Sequence, residues 1–64
     1  MAALDVDRKT IIKRLKREGW ILRKGRHHAI LTNRERPGVV IIVPATYVSV
    51  GVARHIAKAA GWIT

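Results

Sequence analysis

Cysteine is absent from this chain, which excludes a disulfide framework and any thiolate metal site. Its absence fits a reducing interior. Acidic residues are scarce, with four Asp or Glu against thirteen Lys or Arg in 64 residues. Long apolar runs are missing as well. The longest, Val39 to Val43, is far too short to cross a bilayer, so no membrane partner is expected. The opening residues, Met1-Ala-Ala-Leu-Asp-Val-Asp, have neither a basic start nor a long apolar stretch, and a signal peptide is not expected there. No linker, repeat or low-complexity segment divides the sequence. The expectation is one small domain over residues 1–64, cytoplasmic and built on a single thin core, since so short a chain buries a modest share of its surface.

What the chain does have is positive charge. The formal net charge is +9 and the sequence pI is near 11.6. Such a balance speaks about partners rather than fold, and nucleic acid is the commonest partner of a basic domain. An acidic protein is the competing one.

Helix signals come first. Asp7 is a good N-cap, and Arg8 to Glu18 lacks Gly and Pro. Ile11, Ile12 and Leu15 fall on one stripe, while Lys9, Lys13, Lys16 and Arg17 take the rest. Gly19 stands where a left-handed C′ residue belongs. Residues 20–24 and 27–32 then read as strands around a Gly25-Arg26 turn. The turn formers of 33–38 lead to a third strand over 39–43, which Pro44 ends. A second helix is capped by Ser49 and stopped by Gly61. Its buried stripe is Ala53, Ile56, Ala57 and Ala60, with Arg54, His55 and Lys58 facing outward. The expected fold class is α+β, in the order α-β-β-β-α. A three-stranded antiparallel meander carries both helices on one face, since each helix has one apolar stripe to bury.

That arrangement leaves the other face of the sheet open. The third strand is apolar at all five positions, where a half-exposed strand would alternate. In the second strand, His27, Ala29 and Leu31 share one side; His28, Ile30 and Thr32 share the other. Apolar residues on the open side have two readings. A partner chain covers them, or β-branched residues are there for strand propensity alone.

The densest basic run, Arg23-Lys24-Gly25-Arg26-His27-His28, sets two imidazoles among fixed positive charges. It suits a phosphodiester site. Two adjacent histidines also suggest zinc. Consecutive strand residues point to opposite faces, however, and no Cys or nearby carboxylate completes four ligands. Trp20 and Trp62, each following a helix-ending glycine, read as core side chains rather than base-stacking platforms. His55 reads as a solvated surface group, and Tyr47 as a residue placed to meet substrate or partner.

The ordered set Gly19-Trp20, Lys24-Gly25-Arg26-His27-His28, Arg36-Pro37-Gly38, Val39-Val40-Ile41-Ile42-Val43-Pro44, Gly51 and Ala59-Ala60-Gly61 resembles the HicA family of small bacterial and archaeal toxins. The likeness spans roughly residues 10–61. It implies a double-stranded-RNA-binding-like fold and an mRNA-cleaving toxin of a type II toxin–antitoxin system, held inactive by a cognate HicB-type antitoxin. The family's functional histidine follows Gly-x directly and maps onto His27, with its glycine at Gly25. His28 inherits no catalytic role. Arg26 stands where the family usually has a small hydroxyl residue. Ala45-Thr46-Tyr47 replaces a segment rich in basic residues or His, and Val50-Gly51-Val52 replaces a more usual Pro-x-Gly-Thr.

The chemistry can be argued beside the likeness. RNA carries its own nucleophile, the 2′-hydroxyl, so cleavage needs a base, charge stabilisation and in-line geometry, with no metal or other cofactor. Neutral imidazole is the best base near neutral pH. Like charges at Arg23, Lys24 and Arg26 disfavour protonation of His27. The expected site is therefore His27 as base, with Arg23, Lys24, Gly25, Arg26 and His28 against the RNA. A histidine on a strand can equally be a plain surface residue. The competing functions are a non-catalytic double-stranded-RNA-binding module, which the same element order permits, and a subunit whose positive surface serves an acidic protein.

Overall fold

The computed structural model describes residues 7–24 and 28–63. Their order is helix α1 (Arg8–Arg17), strands β1 (Ile21–Lys24), β2 (His28–Thr32) and β3 (Val40–Pro44), and helix α2 (Val50–Ala59). The strands form an antiparallel sheet in the order β1-β2-β3. The α+β order expected from the sequence is the one observed. The Gly25-Arg26 turn and His27 lie outside the described residues.

Both helices end by the same device. Gly19 has φ +96°, its N–H donates to the Lys16 carbonyl, and the Trp20 N–H donates back to Leu15. Gly61 repeats it at φ +81°, with bonds from Gly61 to Lys58 and from Trp62 to Ala57. These paired bonds satisfy carbonyls that a helix end leaves open, and the left-handed residue favours glycine. At the starts the two helices differ. The Ser49 hydroxyl accepts the Val52 N–H at 3.1 Å, an ordinary N-cap. At Asp7 the side chain accepts the Thr10 hydroxyl at 2.7 Å.

One face of the sheet is covered. Ala29, Leu31, Ile41 and Val43 pack against Ile11 and Leu15 of α1 and against Ala53, Ile56 and Ala60 of α2, with Trp20 and Val48 closing the margins. These two helical stripes fall on the positions that the 3.6-residue period selects. Burial of this apolar set supplies most of the stabilisation available to so small a domain.

Strand β3 starts and ends one residue later than the expected 39–43. Gly38 has φ +86°, and Val39 donates its N–H to the Arg36 carbonyl, so Val39 belongs to the turn. At the far end Pro44 extends the ladder opposite His28. Proline lacks a donor but is tolerated at a strand end. Its carbonyl is used, accepting the Arg8 Nε–H at 2.9 Å.

The helix C-termini are clasped together. Glu18 accepts the Trp62 indole N–H at 2.6 Å and the Arg14 Nε–H at 3.2 Å, and the Arg14 guanidinium lies 4.0 Å from the Trp62 ring centroid. A positive group over an indole face is attracted by the ring quadrupole. Asn33 joins this end to the β2–β3 turn, with its amide 3.5 Å from the Glu18 carbonyl and its Oδ1 accepting the Glu35 N–H. Trp62 is half-buried and Trp20 buried, so both are packing residues.

Candidate nucleic-acid interface

The register decides which of the basic residues share a surface. Arg23 is paired with Ile30 on β2, and Ile30 with Ile42 on β3, so these three stand on the sheet face away from the helices. His28 opens β2 opposite Pro44, two residues from Ile30, and is on that same face. Both Arg23 and His28 are exposed. Across an antiparallel pair such diagonal neighbours lie about 7–8 Å apart, within reach of one phosphate group. Lys24 closes β1 opposite Ala29. Gly25, Arg26 and His27 are the expected site residues that lie outside the described part.

Two contacts orient the helices relative to this end. The Arg8–Pro44 bond places the start of α1 beside the end of β3, which is the His28 end of the sheet. The Glu18–Trp62 bond joins the two C-termini at the opposite end. The start of α2, five residues after Pro44 in sequence at Ser49, therefore belongs with the start of α1. Helix N-termini carry partial positive charge, and neither first turn contains an acidic residue to cancel it. Asp7, just before α1, is a negative group among the described residues there. The Thr10 hydroxyl is the largest influence holding its carboxyl below the usual value of 3.8, with backbone N–H groups and Lys9 acting the same way.

Sequence reasoning missed Arg8. It is half-buried and bonded to a residue 36 positions away. The one available hint is electrostatic. A cation in a first turn opposes the helix dipole, so a specific partner compensates. Tyr47, between β3 and α2, is 74% exposed, while its neighbour Val48 is buried and anchors the segment. His55 is exposed on α2, as expected.

Such an end can bind phosphate. Arg23 and the helix N-termini supply positive potential, and His28 adds an exposed imidazole.

Residues 8–62 match the protein family described as HicA toxin of bacterial toxin–antitoxin. The chain belongs to the HicA toxin family. Membership covers nearly all of the sequence and gives it a toxin's role, paired with an antitoxin of the HicB type. No curated protein and no solved structure matches it. Among the described residues, no helix of this HicA-family chain is long and apolar enough to cross a membrane.

Proposed function

We propose that this chain is a metal-independent endoribonuclease toxin that cleaves mRNA in the cytoplasm, with His27 as general base. His27 takes the proton from a ribose 2′-hydroxyl, whose oxygen attacks the adjacent phosphorus. The P–O5′ bond breaks, and the departing oxygen takes up a proton. One fragment ends in a 2′,3′-cyclic phosphate and the other in a 5′-hydroxyl. Arg23, Lys24, Arg26 and His28 offset charge on the phosphate oxygens, and the Gly25 backbone allows close approach. The reading rests on the family match, which takes in the whole run from Arg23 to His28. A single histidine base contributes about 10²–10⁴-fold, which makes this a slow enzyme.

The test is incubation of the purified protein with single-stranded RNA in EDTA. Cyclic-phosphate ends are expected from the parent, and His27→Ala should lose cleavage while still shifting RNA on a gel. Equal cutting by the Ala variant would show that another group is the base. RNA that is bound but never cut would favour the double-stranded-RNA-binding module instead.

A further inference from the structure

The sheet face away from the helices carries an ordered pattern. Three rows cross it: Ile21, Thr32 and Val40; then Arg23, Ile30 and Ile42; then His28 and Pro44. Ile21, Val40 and Ile42 are 55%, 51% and 51% exposed. None of them, nor Ile30, belongs to the core or packs against it. Folding therefore does not explain their hydrophobicity. Threonine has comparable strand propensity and would keep the face wet.

We propose that this face is the docking surface for the antitoxin, a partner with an aliphatic centre and carboxylates around it. The proposal rests on the toxin–antitoxin reading of the chain. Size and charge select this occupant. Three strands of about five residues make a face on the order of 200 Å², whereas a stable interface buries about 800 Å² per partner. A partner seated on the rows must therefore spread over their surroundings. Those surroundings are basic, with exposed Arg23 in the middle row, His28 at one end and Arg34 in the β2–β3 turn. A carboxylate-bearing partner gains from that border.

A second copy does not gain, since it would bring together two chains of net charge +9. RNA is also a poor match, because no aromatic side chain among the described residues stands on these rows to stack a base. A partner on this face also reaches His28 at the start of β2.

The probe is the protein encoded by the reading frame adjoining this gene, titrated calorimetrically into the purified chain. Val40→Lys/Ile42→Lys should weaken binding by about 100-fold, as loss of a buried interface centre does. Its thermal midpoint and RNA cleavage should stay at parental values. The gentler Val40→Thr/Ile42→Thr pair should weaken binding by about 10-fold with strand propensity intact. Arg23→Glu should lower affinity by about 10-fold, mainly through slower association at low salt. Parental affinity in the double-lysine variant would overturn the proposal. So would a parental dimer that the same variant dissolves, which assigns the face to a second copy, or a loss of RNA binding, which assigns it to substrate. If the parent does not bind the adjoining protein at all, the toxin–antitoxin pairing fails first, and the docking face with it.

Discussion

Val40, Ile41, Ile42 and Val43 are consecutive and chemically almost interchangeable, yet the two sides of β3 have opposite fates. Ile41 is 2% exposed and Val43 fully buried, while Val40 and Ile42 are each 51% exposed. Chain parity sends alternate side chains to opposite faces, and only one of those faces meets helices. The difference shows that hydrophobicity alone does not place a residue in the core. On the covered side the aliphatic groups hold the fold together. On the open side the same groups are surplus to folding, which points to a use outside it.

Paired substitutions separate the two sides. Leu31→Ala should cost about 3 kcal/mol in urea unfolding, enough to unfold much of so small a domain, because it leaves a cavity among α1, α2 and β3. Its neighbour Ile30→Ala, on the open side, should cost under about 1 kcal/mol. On β3, Ile41→Ala and Ile42→Ala should differ in the same direction by about 2 kcal/mol. Equal losses within either pair would mean that the open face supports folding after all.

Smaller effects test what holds the helices over the covered side. Glu18→Ala removes the acceptor of both the Trp62 indole and Arg14 and should cost about 1 kcal/mol. Arg8→Ala removes the bond to the Pro44 carbonyl, with a loss of similar size, about 1 kcal/mol. Neither substitution touches the open face, so antitoxin affinity should hold while the urea midpoint falls. The smallest effect is at Asp7. Its folded carboxyl titrates below 3.8, so its contribution is present above that value and is lost as pH falls through the depressed one. Thr10→Val removes the largest cause of that depression. Carboxyl NMR titration should then show the Asp7 midpoint moving up toward 3.8.

Much of this architecture is legible in the residues because local rules act alone there. Gly19 and Gly61 mark both helix ends, since each needs positive φ. Ser49 marks a helix start through its hydroxyl. The four positions read as the stripe of α2 are the four found buried. Local rules failed at the edges of β3, where Gly38 turns the chain and delays the strand past Val39. They failed more fully at Arg8 and Glu18. Each finds its partner 36 and 44 residues away, a distance that no window of periodicity spans. In the expected site, Arg23 and His28 come together through strand register, which follows from alternation once the pairing is known.

The clasp between Glu18 and Trp62 also has a bearing on the order of events during synthesis. The first helix is made early, but its indole partner is added 44 residues later. Four of the buried side chains, Ala53, Ile56, Ala57 and Ala60, belong to α2 and its C-cap. A half-translated chain therefore has nothing to lay over much of its sheet, and the long sequence separation of its contacts delays closure further. The covered face is complete only once α2 has been made and can close over the sheet.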